Sequence, residues 1–379
     1  MRIRFFIVSV LIIFVFLIAC EKFNQPTGIQ EQQPISLAKQ TAEAIPGQYI
    51  VVFKDDVTDV PGIVPQVAQE HGAVVEHVYQ FALKGFSATM SAAAAENLSK
   101  DVRVKYIEPN YRVAVGPPPG VGPGPSGQTV PWGVTRVGGP KDGTGKTAWV
   151  IDTGIDLDHP DLNVDVTRSA NFVTRGKNSP DDGNGHGTHV AGTIGAIDND
   201  IDVVGVAANA TLVAVRVLDN GGSGSYSWVI AGVDYVAQNA AVGDVANMSL
   251  GGPPSDALDD AVRNAADQGV FFSLAAGNDG DDANNYSPAR VEYNRVYTIS
   301  AINNEDYFAS WSNWGNPPIE FAAPGVSILS TAKGGGTTTM SGTSMAAPHV
   351  AGILLLQKPN SDGTAIDDPD GNPDPIAHF

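Results

Sequence analysis

Apolar and polar positions along this chain follow two different rhythms. From residue 147 onward, short unbroken apolar runs, TAWVID (147–152), LVAVRVL (212–218), VANMSL (245–250), VFFSLAA (270–276) and VYTISAI (296–302), alternate with stretches of helical spacing. Unbroken runs belong to strands buried on both faces, and helical crossovers between them predict a parallel sheet with helices on both sides. Helix starts are expected near His186, Trp228 and Asp256. The earlier part is smaller in scale. YIVVF (49–53) reads as a strand, 64–71 as a helix, 73–79 and 85–90 as strands, AAAAENL after Ser91 as an N-capped helix, and 102–108 as a closing strand. Four strands with two helices predict a small, open-faced, ferredoxin-like α/β domain.

Two stretches break these rhythms and divide the chain. Residues 116–127 read GPPPGVGPGPSG, a composition that packs against nothing and marks an extended connection. Residues 21–47 are rich in Gln, Pro, Thr and Ser without an apolar period and read as a tether. Ahead of them, Arg2 and Arg4 precede an apolar run of about 15 residues, which as a helix spans roughly 22 Å against a hydrocarbon core of about 30 Å. Residues 1–20 are therefore expected to be an export signal. The run ends in Leu17, Ile18, Ala19 and Cys20, which resembles the lipobox of bacterial lipoproteins and implies a lipid on Cys20 as the chain's membrane contact. The expected organisation is thus signal (1–20), tether (21–47), small domain (48–115), linker (116–127) and large domain (128–379).

Charge narrows the partners. The chain carries a formal net charge of −19, and residues 127–379 hold 30 acidic against 12 basic side chains. Nucleic acid is excluded as a direct partner on that ground. The acids are mostly loop aspartates, which suit hard cations that take oxygen ligands. Cys20 is the single cysteine, so the fold has no internal disulfide.

Three motifs carry chemistry. VIDTGID (150–156) ends an apolar strand at Asp152, GHGTHVAG (185–192) opens a helix at His186, and SGTSMAAPHVAG (341–352) places Ser344 where a loop becomes a helix. A hydroxyl there sits beside unpaired backbone N–H groups and the positive end of the helix dipole. Serine needs a base to remove its proton, and the base needs a carboxylate to hold its tautomer. Each residue alone has an ordinary reading: a turn aspartate, a structural histidine, a capping serine. The metalloprotease alternative lacks an HExxH motif, and a non-catalytic binding protein has no use for all three groups together.

Taken together, these motifs resemble the subtilisin family of serine proteases, with the YSPA segment (286–289) closer to the proteinase K branch. The resemblance runs from about Gln128 to Gly352. It implies a subtilisin-like fold and a secreted, monomeric serine endopeptidase that cleaves proteins and peptides through an acyl-enzyme. Asp152 would orient, His186 would act as base and acid, Ser344 would be the nucleophile, and Asn278 in AAGND would give an oxyanion donor. His159, His189 and His349 would be structural. Substrate would lie as a strand between Gly222, Ser223 and Gly224 on one side and Ser249, Leu250 and Gly251 on the other. Ala275, Ala276 and Gly277 would line an uncharged primary pocket for apolar or aromatic residues, and Tyr226 would flank a more remote one.

The resemblance also implies structural Ca2+, held by the Ile197, Ile201 and Val203 carbonyls, the Asn199 side chain, Asp161 and Gln128. Asp198, Asp200 and Asp202 add charge to that loop and are expected to be solvated; Glu320 would serve a second, weaker site. The small domain resembles the family's inhibitory propeptide, whose last strand would fill the cleft. Met345 follows the nucleophile. Beyond Ser344 the helix is expected to reach about residue 357. The tail, with Asp368, Asp370 and Asp374, is expected to be an acidic solvated loop where the family has a further helix.

Overall fold

The computed structural model describes residues 43–115 and 127–379. The expected signal, Cys20, residues 21–42 of the tether and residues 116–126 of the linker lie outside the described residues. Among the described residues no helix is long and apolar enough to cross a membrane.

In the small domain, β1 (Ala44–Phe53), α1 (Val60–His71), β2 (Val74–Tyr79), β3 (Gly85–Thr89), α2 (Ala92–Leu98) and β4 (Val104–Ala114) follow in turn. The four strands pair antiparallel in the order β4-β1-β3-β2. Both helices cover one face, where Val51, Phe53, Val64, Val67, Phe86 and Leu98 form a core. Two elements start four or more residues before their expected position. β1 starts at Ala44, inside the expected tether, because Ala44 pairs with Tyr111. α1 starts at Val60, with Asp59 accepting from the Gly62 N–H and Pro61 in the first turn, where a missing N–H costs nothing.

The large domain is built on nine strands. Their order across the sheet is Asn360–Thr364, Pro375–His378, Ile319–Pro324, Val296–Ile302, Phe271–Ala275, Val245–Met248, Thr147–Asp152, Thr211–Arg216 and Ala170–Asn171. All neighbouring pairs are parallel except the first, which is antiparallel. Both faces are buried, as unbroken apolar runs require. Trp149, Ile151, Val213, Val215 and Met248 face the helices Tyr226–Asn239 and Asp256–Asp267. Ala148, Val150, Leu212 and Ala214 face the helices His186–Gly195 and Thr343–Leu354. Thr147–Asp152 lies between Val245–Met248 and Thr211–Arg216, so the chain leaves it first to one side and then to the other. Ligand sites of open α/β sheets form at the C-terminal strand ends of such a switch point, and Asp152 stands there.

The tail corrects the expectation of a solvated loop. Asn360–Thr364 and Pro375–His378 pair with each other, and the latter joins Ile319–Pro324. Asp374 is 1% exposed and accepts from the Ser300 hydroxyl at 2.6 Å, Asp368 is half-buried and accepts from the Asp374 N–H at 3.0 Å, and only Asp370 of the three is exposed. A fully exposed NSDGT strand has no apolar alternation to reveal it. The serine helix ends at Leu354, three residues before the expected stop.

Candidate active site

The Asp152 backbone is fixed on both sides before its side chain is considered. Its carbonyl accepts from Val217 and Leu218, and its Oδ1 accepts from the Thr153 N–H at 2.7 Å. The helix opened by His186 lies against this strand end, and a side chain at Gly187 would collide with the Gly154 carbonyl. This close approach brings His186 Nδ1 to 2.8 Å from Asp152 Oδ1 and 3.0 Å from Oδ2, with Asp152 fully buried and His186 nearly so. Burial disfavours the charged imidazole, but the Asp152 carboxylate outweighs it, with a smaller contribution from Asp182. The His186 pKa therefore lies above that of a free histidine.

Ser344 is the second residue of its helix, and that helix packs against the histidine helix. Its hydroxyl donates to the Ser249 carbonyl at 3.1 Å rather than to His186. Ser249 returns the contact: its hydroxyl donates to the Ser344 carbonyl at 2.8 Å and accepts from Asn247 Nδ2 at 2.9 Å. Catalytic hydrogen bonds are often unformed until substrate is present. Asn278 is fixed by its oxygen, which accepts from the Thr343 N–H at 2.8 Å and the Thr343 hydroxyl at 3.0 Å. Its NH2 group is left to face the pocket that Asn278 and Ser344 line together.

The same pocket is lined by Ser249, Leu250, Gly251, Ala275, Ala276 and Gly277, and by Ala114 and Val115 from the end of the small domain. β4 runs six residues past its expected end because it gains a partner there. Arg112, Val113 and Ala114 pair antiparallel with Ser225, Gly224 and Ser223, and the Val115 N–H donates to the Gly222 carbonyl at 2.8 Å. Of the two expected substrate edges, residues 222–225 thus carry main-chain bonds to the small domain, while 249–251 form pocket wall. Val113 is buried in one cluster with Leu218, Tyr226 and Leu250, where Tyr226 was expected to flank a second pocket. The primary pocket is not free of charge: Asp279 lines it beside Tyr286.

Carboxylates bind the two domains together, which the sequence reading missed. Glu108 accepts from the Ser255 hydroxyl and from the N–H groups of Asp256 (3.1 Å) and Ala257 (3.4 Å), at the start of the helix Asp256–Asp267. Asp234 accepts from the N–H groups of Gln80, Phe81, Ala82 and Leu83. Glu76 accepts from Trp228 Nε1 at 3.1 Å. Burial pushes the carboxyls of both Glu108 and Asp234 up, against the N–H groups that favour their charge.

The expected cation ligands also converge. Gln128 Nε2 donates to the Ile197 carbonyl (2.7 Å), Asn199 Oδ1 (3.4 Å) and the Val203 carbonyl (3.4 Å), and Asn199 Nδ2 donates to Asp161 Oδ1 at 2.7 Å. Asp161 is fully buried, and burial pushes its carboxyl up to about 6. The Asp161 carboxylate is met by Asn199 Nδ2 and the Val203 N–H, and Gln128 turns its Nε2 to the carbonyls, so the groups gathered here are a carboxylate, two side-chain amides and main-chain carbonyls, whose oxygens are of the kind a hard cation takes. Ile201 contributes its N–H, which donates to Asn199 Oδ1, rather than the expected carbonyl; Asp198 and Asp200 are exposed as expected, but Asp202 is half-buried. Glu320 is pushed up to about 8 by burial and accepts from the Thr298 N–H. His189 Nε2–H donates to the Ile328 carbonyl, His349 Nδ1–H donates to the Met345 carbonyl, and His159 Nδ1 accepts from the Asp161 N–H, all of them buried.

Comparison with known proteins agrees with this arrangement. A model of the subtilase family matches residues 143–365, and one of peptidase inhibitor I9 matches residues 48–115. An extracellular serine proteinase of Thermus sp. (strain Rt41A) is 40% identical over 374 residues, covering 89% of this chain and 86% of that protein. Alkaline serine exoprotease A of Vibrio alginolyticus is 40% identical over 366 residues, covering 88% of this chain and 66% of that protein. The crystal structure of a cold adapted subtilisin-like serine proteinase matches with a TM-score of 0.58 at 42% identity, covering 65% of this chain and 97% of that one. With a family model over most of the large domain and an inhibitor model over the small one, the chain belongs to the subtilase family of serine proteases.

Proposed function

We propose that the protein is a secreted endopeptidase in which Asp152, His186 and Ser344 act as a triad and Asn278 binds the oxyanion. The observation that carries this reading is the buried contact of 2.8 Å between Asp152 and His186 Nδ1, which leaves Nε2 as the ring's basic atom. In the reaction the Ser344 hydroxyl turns from the Ser249 carbonyl to His186 Nε2, gives up its proton there, and forms a bond to the peptide carbonyl carbon. The oxyanion takes hydrogen bonds from Asn278 Nδ2 and the Ser344 N–H. Collapse breaks the C–N bond, and the leaving amine takes the proton from His186. Water then repeats the sequence on the acyl-enzyme and frees Ser344.

Residues 48–115 serve as the inhibitory propeptide, with 112–115 lying along the substrate edge and the chain cut within 116–127. A lipid on Cys20 would then stay with the propeptide, while the enzyme, starting near Gln128, leaves the membrane as a monomer. Extracellular location is supported by the name of the Thermus relative. Structural Ca2+ is held by Asp161, Gln128, Asn199 and the carbonyls of Ile197, Ile201 and Val203, where it would neutralise the buried Asp161 charge and fix the loop after the histidine helix. Main-chain recognition gives broad specificity, and although Asp279 stands on the pocket lining, the wall of Leu250, Ala275, Ala276 and Gly277 is apolar and favours large apolar or aromatic residues before the cut. The test is hydrolysis of succinyl-Ala-Ala-Pro-Phe p-nitroanilide by the mature enzyme. It should be much faster than that of analogues ending in Lys or Glu and be abolished by Ser344→Ala. Equal rates would overturn the pocket assignment, and hydrolysis that survives Ser344→Ala would overturn the triad.

A further inference from the structure

We propose that Asp182 is a positioning residue for His186: its carboxylate holds the first turn of the histidine helix in place, and its charge favours the imidazolium that forms during turnover. This deepens the proteolytic reading and relies on it only for the relevance of that imidazolium.

The histidine helix starts at a disadvantage. Its N-cap is Gly185, in a left-handed conformation (φ 116°), with no side chain to satisfy the orphaned N–H groups of the first turn. Asn184 Oδ1 accepts from the His186 N–H (3.1 Å) and Thr153 Oγ1 from the Gly187 N–H (2.9 Å), while Asp182, 2% exposed, takes the Thr188 N–H and ties it to the turn that leads into the helix. One carboxylate oxygen accepts from the N–H groups of Asn184 (2.8 Å) and Gly185 (2.9 Å). The other accepts from the Thr188 N–H (3.0 Å) and the Thr188 hydroxyl (2.6 Å). Four donors on two oxygens fit an ionised carboxylate, since an amide would turn an NH2 group toward one pair of them. The backbone of His186 lies inside this ring of bonds, so the carboxylate fixes the direction from which the imidazole meets Asp152.

The surroundings leave the Asp182 charge able to act on the ring. Arg216 faces it from the neighbouring strand, but its guanidinium donates to the Leu218, Ser179 and Asp181 carbonyls and to Asn220 Oδ1. Lys333 donates to the Gly183 carbonyl, and the Asp156 carboxylate accepts from the Gly334 N–H. His189, on the same helix, is kept neutral by burial, with its pKa pushed down to about 3. Besides Asp152, Asp182 is the carboxylate that raises the affinity of His186 for a proton.

The test is the titration of His186, followed by 13C-labelled histidine NMR in the full chain with Ser344→Ala, so that the readout needs no turnover. Asp182→Asn should lower the His186 pKa by about half a pH unit, and in the active enzyme the acid limb of kcat/KM should move down by the same amount. Thr188→Val removes a hydrogen bond from the same ring but keeps the charge, and should leave the titration in place. An unmoved titration in Asp182→Asn would overturn the proposal, as would an equal displacement in Thr188→Val, which would reduce Asp182 to a structural cap. Should Asp182→Asn not accumulate as folded protein, Asp182→Glu takes its place: the titration should stay in place, and a drop overturns the proposal. An inactive wild type refutes the proteolytic reading separately, because the titration remains measurable.

Discussion

Asp234→Ala should loosen the propeptide by about two orders of magnitude without weakening the protease domain. In the wild type, one nearly buried carboxylate accepts from four consecutive N–H groups, with distances of 2.7 Å to Phe81 and Ala82, 3.0 Å to Gln80 and 3.4 Å to Leu83. Hydrogen bonds to a charged acceptor contribute roughly 1.5–3 kcal/mol each, and stripping the acceptor also leaves buried donors unpaired. Against this stands the cost of burying the charge, which shows in the raised carboxyl pKa. With the two short bonds dominating and the desolvation cost returned, the net loss is about 3 kcal/mol, or about 150-fold in the docking equilibrium. Asp234 also sits inside the helix Tyr226–Asn239, where Ala is the better helix former, so the protease domain should keep its own stability. The assay is hydrogen exchange on the uncut chain with Ser344→Ala, read at the amides of Val113–Val115 and Ser223–Ser225, which exchange only when β4 leaves the cleft. These amides should exchange about a hundredfold faster in Asp234→Ala, while Glu96→Gln, an exposed change on α2, should alter nothing. Unchanged exchange in Asp234→Ala would show that the carboxylate contributes nothing to docking, and the reasoning from its four bonds would fail.

Three further outcomes follow from the site. Because Asp152 raises the His186 pKa above that of a free histidine, the neutral base is lost as pH falls through that raised value; kcat/KM should therefore drop on the acid side, and a flat profile down to pH 5 would contradict the assignment of the base. Asn278→Ala should lower kcat by about 10² to 10³ with little change in KM, a magnitude carried over from subtilisin rather than worked out for this chain, and a loss confined to KM would remove Asn278 from the oxyanion site. Chelation should lower the thermal midpoint of the mature enzyme markedly, and Asp161→Asn should erase the difference between chelated and calcium-loaded protein; equal midpoints in the wild type would remove the cation from the account.

The parts of this molecule legible in the sequence are those in which local pattern and tertiary role coincide. TAWVID, VANMSL and VYTISAI read as buried strands because both of their faces are apolar, and both are covered. Asp152, His186 and Ser344 stand out because each ends or begins an element, while Asn278 and the expected cation ligands could be named only through the resemblance. The missed features depend on partners far away in the chain. β4 extends to Ala114 only because Ser223–Ser225 is there to pair with it, and NSDGT becomes a strand only beside Pro375–His378. Asp234 and Glu108 look like ordinary surface acids until the helix and loop they face are in place. Asp182 was within reach: an acid shortly before a helix whose N-cap is glycine is the residue that capping logic should have sought.

The central claim is that Ser344 is an activated nucleophile, and covalent labelling tests it most directly. Mature enzyme treated with a fluorophosphonate should gain the mass of one phosphonyl group, located by peptide mass spectrometry on Ser344, and His186→Ala should slow that gain by orders of magnitude. A folded, mature protein that takes up no label at Ser344, or takes it up equally fast without His186, would contradict the account.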